Sequence, residues 1–543
     1  MNARQANPWA ALSALCLGFF MILLDTTIVS TAIPAMLREL DAGLNAIVWV
    51  ISVYLLAYAV PMLFASRLGD RFGPKRVYLV GLVVFTLASL WCGLSGSVEM
   101  LIAARAVQGL GAALMTPQTL AFISHLFPPS KRGPAMGLWS GVAGIAAIVG
   151  PLLGGVLVDH LGWEWIFFVN LPVGVVAFAL ALLKVPDWQP KHSHSFDVPG
   201  ILLSGAGLFL VVYGVQNGQH YDWGRALGPI TVFEIIGAGL ALLIAFVVWQ
   251  RFNRDEPLLP LSVFANRNFS AGALTSATVG FAMTGLFLPL VIYFQAVLGE
   301  SPTMSGLLFA PMSLLAGLIG PFVGRASDKV SGKVLLIIGL TALATGMALV
   351  ALIARADTNA WALTPALLVA GAGIGFIFAP MGNLAMSSVE PRLVGTASGI
   401  FNTARQVGGV LGSAAVGVLL QARISASIAD EAATAAATTA LPEQYRAPFV
   451  EGIAKAAEST GEFGSSGQAS IPGLPAEVAK QAQRLALEAV HNGLTDAARV
   501  TLLLPAAVLL LGVLAALTMR RPVPRIPAPA PAAATATTAT TAA

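Results

Sequence analysis

Fourteen stretches of mostly apolar residues recur along this chain of 543 residues. Each is about 20 residues long, enough to cross the hydrocarbon core of a bilayer as a helix. They begin near Ala11, Ala46, Val77, Leu101, Met136, Trp165, Val198, Ile230, Ser270, Ser305, Val334, Trp361, Gly395 and Val500. Lipid offers backbone groups no hydrogen-bond partner, so only structures that satisfy their own polar backbone can span it. Runs of this length therefore predict an all-α polytopic membrane protein. Composition agrees: 57% of residues are hydrophobic and only 10% charged, against about 25% in a soluble domain. The seventh span is the weakest, because Gly and Gln crowd its end. The first run carries Asp25 and lacks the flanks of a cleavable signal peptide, so it reads as a retained span. Cys16 and Cys92 both lie in apolar runs and form no disulfide framework.

The basic residues set an orientation, since Lys and Arg accumulate in cytoplasmic loops. With both termini cytoplasmic, nineteen of the thirty fall in internal loops and tails, among them Arg67, Arg71, Lys75, Arg76, Lys131, Arg132, Lys184, Lys191, Arg251, Arg254, Lys329, Lys333, Arg520 and Arg521. The short external loops hold only Arg38, Arg225 and Arg355. That asymmetry explains the net charge of +4 without a nucleic-acid partner. Arg outnumbers Lys 22 to 8 and Ala is abundant, a composition of GC-rich bacterial genomes.

Signals repeat along the chain. The loop Ser66-Arg67-Leu68-Gly69-Asp70-Arg71-Phe72-Gly73-Pro74-Lys75-Arg76 has a counterpart running from Gly324 through Asp328 to Lys333, with Asp70 and Asp328 258 positions apart. Gly133, Gly137 and Gly150 recur 262 positions later as Gly395, Gly399 and Gly412. Spans one to six thus correspond to nine to fourteen, and spans seven and eight are an insert. The division is a six-helix bundle over 1–190, two linker spans over 191–265 and a second bundle over 266–520. The segment 421–498 is external, rich in Ala, Ser, Thr and Gly, and reads as a tether or as a surface for an external partner; Glu477 to His491 has amphipathic spacing. The Pro/Ala/Thr tail over 521–543 has the composition of disorder. A parallel repeat of six-helix halves predicts a major facilitator fold, with its substrate site between the halves.

Ionisable residues inside spans are costly and mark function. Asp25 should face the interior; it is either a carboxylate that takes and releases protons, or a neutral acid hydrogen-bonded within the bundle or lying near the outer mouth. Arg105 lies close behind the external Glu99, so it reads as shallowly buried: a fixed charge beside a carboxylate, or a side chain snorkelling to the surface. Gln108, Asn402 and Arg405 are candidates for a substrate cavity, Arg405 equally for an inter-helix anchor. Asp70, Arg71, Gly73, Lys75 and Arg76 crowd a tight turn, either as topology signals or, with Asp328, as a cytoplasmic gate of switchable ion pairs. Gly150, Pro151, Gly154 and Gly155 combine a helix-bending proline with a small-residue packing face. No phosphate-binding loop or nucleophile elbow occurs. His192 and His194 supply only two ligands in one loop, so neither metal nor cofactor is expected, and the chain reads as no enzyme.

These residues resemble the fourteen-helix drug:proton antiporters of the major facilitator superfamily, the QacA/EmrB-type group. The run from Leu24-Asp25 to Pro34 resembles the family's first-helix signature. Asp70 to Arg76 is similar to its motif A, with Ser66 where Gly is usual, and Arg105 to Gly111 to its motif B, implicated in proton transfer. Gly150 to Gly155 is similar to the antiporter motif C. Trp163-Glu164-Trp165 through Asn170-Leu171-Pro172 is also similar, although Arg is commoner than Glu164. The resemblance covers about residues 10–420 and the last span. It implies a carrier in the bacterial cytoplasmic membrane that uses protons to export amphipathic or cationic drugs. A dedicated exporter of one endogenous natural product, lipid or siderophore, and a non-transporting scaffold or sensor, are the alternatives.

Overall fold

The computed structural model describes residues 7–188, 197–253, 257–327, 330–387, 389–390, 393–438, 443–458 and 476–520. Asp328, His192, His194 and the tail over 521–543 lie outside the described residues. The first half comprises α1 (Pro8–Ile28), α2 (Ile33–Glu39), α3 (Leu44–Ala59), α4 (Met62–Phe72), α5 (Pro74–Gly93), α6 (Val98–Leu126), α7 (Pro129–Leu161), α8 (Trp165–Phe168) and α9 (Asn170–Lys184). The insert is α10 (Val198–Asn217), a two-stranded hairpin of β1 (Arg225–Leu227) and β2 (Ile230–Thr231), and α11 (Val232–Phe252). The second half comprises α12 (Arg267–Ile292), α13 (Pro302–Ala326), α14 (Gly332–Ile353), α15 (Thr364–Met386), α16 (Val394–Thr438), α17 (Glu443–Glu458) and α18 (Ala476–Thr518). Thirteen helices are long and apolar enough to cross a membrane among the described residues, and the bent pair α3–α4 makes a fourteenth.

The sequence repeat becomes a repeat of contacts. Lys75 Nζ, opening α5, donates to the Leu182 carbonyl near the end of α9 at 2.9 Å. Lys333 Nζ, opening α14, donates to the Leu517 carbonyl near the end of α18 at 2.6 Å. Each ammonium meets orphan carbonyls at the negative end of a helix. Likewise a Cβ at Gly81 would meet the Gly111 carbonyl at 2.9 Å, and one at Gly339 the Gly373 carbonyl at 2.9 Å. Both halves therefore cross their second helix pair backbone to backbone.

The insert is pinned at one end by Asp197, buried at the start of α10, which caps Gly200 and also accepts from Trp249 Nε1 at 2.8 Å and Gln250 Nε2 at 2.6 Å on α11. Burial works to raise its carboxyl, but these hydrogen bonds, with the Leu258 amide, outweigh it and hold the group below the usual carboxylate range. The end of the seventh span, weak as sequence, is packed here: a Cβ at Gly214 would meet Ile236 of α11 at 2.5 Å. Asn217 Oδ1 accepts from Asn45 Nδ2 at 2.9 Å.

The halves meet along two seams that diverge in the same direction. On α7, residues 137, 141, 144, 148, 151 and 155 form one helical stripe. At its far end a Cβ at Gly155 would strike the Pro302 backbone, and one at Gly306 would strike Pro151. Thr303 N donates to Asp159 Oδ2 at 2.8 Å, and Ser313 Oγ to the Ala147 carbonyl at 3.3 Å. Toward the basic loops the stripe parts from α13: among the described residues nothing lies within 4 Å of a Cβ at Gly144, Gly141, Gly137 or Gly320. The α3–α16 seam behaves alike. A Cβ at Gly417 would meet Val48 at 2.7 Å, Ser52 and Ser413 hydroxyls are 3.0 Å apart, and a Cβ at Gly409 would meet Leu55 only at 3.9 Å. The molecule is sealed at one end and open at the end carrying Lys75 and Lys333.

The described residues of the segment 421–498 (421–438, 443–458 and 476–498) are helical, where a tether was expected. The helix α16 runs unbroken for 45 residues to Thr438, and α18 begins at Ala476 and runs for 43. Leu420, Ile424, Ile428, Ala432 and Ala436 are buried at four-residue spacing against Ala482, Ala486 and Ala489, with Phe449 and Ile453 of α17. Gly493 sits directly on Ile428. Alanine lowers hydropathy, which hides such a segment from a membrane-span reading, yet it is the best helix former and packs closely. Two rods thus protrude beyond the sealed end.

Candidate functional site

The first helix ends in a tighter turn. α1 gives way at Val29 to a 3-10 segment, Val29–Ala32, and Thr26, Thr27 and Thr31 turn their hydroxyls back on the carbonyls of the preceding turn. This leaves Asp25 on the inner face, fully buried. Against it lies Arg105 of α6, whose Nη1 donates to Asp25 Oδ2 at 2.5 Å and to Gln108 Oε1 at 2.7 Å. Gln108 Nε2 returns a bond to Asp25 Oδ1 at 2.8 Å, and Asn170 Nδ2 on α9 supplies another at 3.1 Å. Asn170 Nδ2 also donates to Ser89 Oγ at 3.0 Å, and Ser89 in turn to the Phe167 carbonyl at 2.9 Å. The guanidinium is completed by Nε donation to the Val50 carbonyl at 3.3 Å and by the Tyr54 ring, 3.9 Å from its carbon.

This arrangement corrects two sequence expectations. Arg105 is not shallow: it is 1% exposed despite lying two turns from the helix start, because Asp25 and Tyr54 draw it inward rather than to the rim. Gln108 lines no open cavity here; it is fully buried and bridges the ion pair. Asn170, Ser89, Tyr54 and Tyr58 were not identified as site residues from sequence. An amide and a hydroxyl inside apolar runs, and two tyrosines four apart on one helix face, were the available signals. Burying an acid without partners would cost several kcal/mol, roughly; here one ionic and two neutral donors share it. Asn170 Oδ1 remains without a partner among the described residues.

The glycine-rich run of α7 sits beside the acid. A Cβ at Gly150 would collide with Thr27 Oγ1, and one at Gly154 with Thr31 Oγ1. Gly150 and Gly154 thus seat the Asp25-bearing segment, while Pro151 and Gly155 on the neighbouring face form the seal with α13. One turn and a half of helix couples the acid to the seam.

At the open end, Asp70 is half-buried and Arg71 exposed, and both engage neighbouring groups. Arg76 faces Asp187 at 3.9 Å, with both side chains largely exposed, so that pair contributes little. Gly73 has φ +92°, a region that side chains with a Cβ avoid. Gly73→Ala should cost about 1–3 kcal/mol of strain, read as a lowered unfolding midpoint of the purified chain; an unchanged midpoint would remove the need for glycine. Asn402 and Arg405 lie together on α16, Arg405 Nη2 reaching Asn402 Oδ1 at 3.4 Å. Among the described residues, no group of three or more potential metal ligands occurs.

Comparisons with known proteins agree with this architecture. Residues 15–413 match the Major Facilitator Superfamily. An uncharacterised MFS-type transporter of Mycobacterium tuberculosis is 46% identical over 83% of this chain and 78% of its own length. The tetracenomycin C resistance and export protein of Streptomyces glaucescens is 34% identical over 79% of each chain, and the multidrug resistance protein Stp of M. tuberculosis 34% identical over 76% of each. Among solved structures, a bacterial homologue of the human lysosomal transporter Spinster superposes with a TM-score of 0.59 at 17% identity, covering 96% of this chain and all of that one.

Proposed function

This chain belongs to the major facilitator superfamily and is a secondary transporter, not an enzyme, and we propose that it exports amphipathic small molecules across a bacterial cytoplasmic membrane in exchange for protons. The observation that carries the reading is the buried Asp25–Arg105 pair bridged by Gln108 and Asn170. Relatives named for resistance to, or export of, antibiotics support the cargo class.

Asp25 is the proton carrier and Arg105 its fixed counter-charge, which keeps its own proton at any working pH. Protonating Asp25 dissolves the ion pair and leaves Arg105 to Gln108, the Val50 carbonyl and the Tyr54 face. Asn170 suits both states: its Nδ2 serves the carboxylate, and its unpartnered Oδ1 can accept from the neutral acid once the amide turns. The seam follows, because the same segment of α1 rests on Gly150 and Gly154. The loop from Asp70 to Arg76, with Asp328, forms the cytoplasmic gate, closing when the open end closes.

With the basic loops cytoplasmic, the conformation described is inward-open. Gly141→Cys and Gly320→Cys should then react with a membrane-impermeant maleimide from the cytoplasmic face and resist it from outside. Reaction from the external face alone would reverse the orientation and the direction of transport. The decisive experiment is proton-driven uphill export in proteoliposomes, with and without the Asp25 carboxyl.

A further inference from the structure

The span interiors hold three charged side chains among the described residues: Asp25, Arg105 and Arg405. The first two cancel. Arg405 stands eleven residues inside α16, far from either helix end, and no carboxylate among the described residues pairs with it; its side-chain hydrogen bond goes to Asn402. It continues the α16 stripe through residues 417, 413 and 409 at the point where the seam with α3 parts. Tyr58 of α3, one turn beyond the Leu55 that approaches Gly409, stands within electrostatic range of the guanidinium and of the Gln406 amide. Tyr58 Oη is 2.8 Å from Thr116 Oγ1, and its ring lies 6.1 Å from that of Tyr54, which covers Arg105. Arg405 is half-buried in this conformation.

A guanidinium held in a low-dielectric cleft without an anion is costly. Its planar fork suits a carboxylate or sulfonate with two parallel hydrogen bonds. We infer that Arg405, flanked by Asn402, Gln406 and Tyr58, binds the acidic head of an amphipathic aromatic anion, so that the cargo favoured by this exporter is anionic. The inference rests on the proton-driven export proposed above. It carries a charge consequence. A proton moving inward and a monoanion moving outward both carry positive charge toward the cytoplasm, so the exchange is electrogenic. One-for-one exchange of a proton for a monocation is electroneutral.

The full chain in proteoliposomes tests this with three probes: anilinonaphthalene sulfonate, its neutral parent phenylnaphthylamine, and the cation ethidium. Arg405→Gln should raise the KM for the sulfonate by about tenfold or more while moving the other two by about twofold or less, and Arg405→Lys should recover only part, lacking the fork. Asn402→Asp, which places a carboxylate beside Arg405, should abolish the preference for the sulfonate and favour ethidium. An interior-negative potential should accelerate sulfonate export and leave ethidium exchange unchanged. Sulfonate binding to the detergent-solubilised chain, read by its fluorescence, follows the same variants without any gradient. Equal losses for all three probes in Arg405→Gln, or wild-type export of ethidium but not of sulfonate, overturn the anion site and leave proton coupling intact. Arg405-dependent sulfonate binding with no gradient-driven export of any probe leaves the anion site standing and overturns the proposed export.

Discussion

Replacing Asp25 with Asn should lower uphill export by about two orders of magnitude while leaving downhill exchange in place. The size follows from the driving force. An inward proton releases about 2.3 kcal/mol per 100 mV, and each pH unit adds about 1.4 kcal/mol. Together these sustain a gradient of several hundredfold for a neutral solute, since about 1.4 kcal/mol is worth a factor of ten. An amide carries no exchangeable charge and forfeits all of it. Asn also strands Arg105, and breaking a buried pair costs about 3–5 kcal/mol, so the single variant loses stability for a reason unconnected with protons. The double variant Asp25→Asn/Arg105→Gln removes both charges and should regain the unfolding midpoint but not uphill export. Uphill export at the wild-type rate in Asp25→Asn proteoliposomes would remove the acid from the mechanism.

The second large effect is expected at Gly155→Val. A Cβ at Gly155 would strike the backbone of Pro302, which cannot move as a flexible side chain would. Overpacking of this kind costs about 1–3 kcal/mol, and only the sealed conformation bears that cost. The external end should therefore open more often, by roughly five- to a hundredfold on the scale of about 1.4 kcal/mol per decade. Ser305, fully buried at the seam, gives the measurement. A cysteine placed there should resist an impermeant thiol reagent added outside, and should react once Gly155→Val is combined with it. Protection unchanged by the valine would mean that the α7–α13 contact does not hold the seal.

The span count and the repeat were legible because lipid imposes a length and a polarity that short-range pattern reading can see. The repeat has a structural counterpart that was not predicted: Lys75 and Lys333, 258 positions apart, cap equivalent helix ends. The acid was also legible, being an ionisable residue amid leucines. Its partners were less so. Arg105 looked like a rim residue because distance along the chain from Glu99 says nothing of how steeply a bundle draws a side chain inward. Asn170 and Tyr54 come from other helices, and only packing brings them to Asp25. The described parts of the segment 421–498 were hard to read for a different reason: alanine resembles linker composition, whereas here Ala432, Ala436, Ala482, Ala486 and Ala489 serve close helix pairing around Ile428 and Gly493.

Continuity of α16 and α18 across the sealed end has a mechanical corollary. At about 1.5 Å per residue, a helix of 45 residues is about 67 Å long, more than twice the hydrocarbon thickness of about 30 Å. A rod pivoting within the bilayer sweeps its outer tip further than its buried part, so a few degrees of rocking at Arg405 become several ångströms at Thr438. An antibody fragment grasping both protruding rods would act on the cycle as a hand on a lever, arresting turnover without touching the cargo.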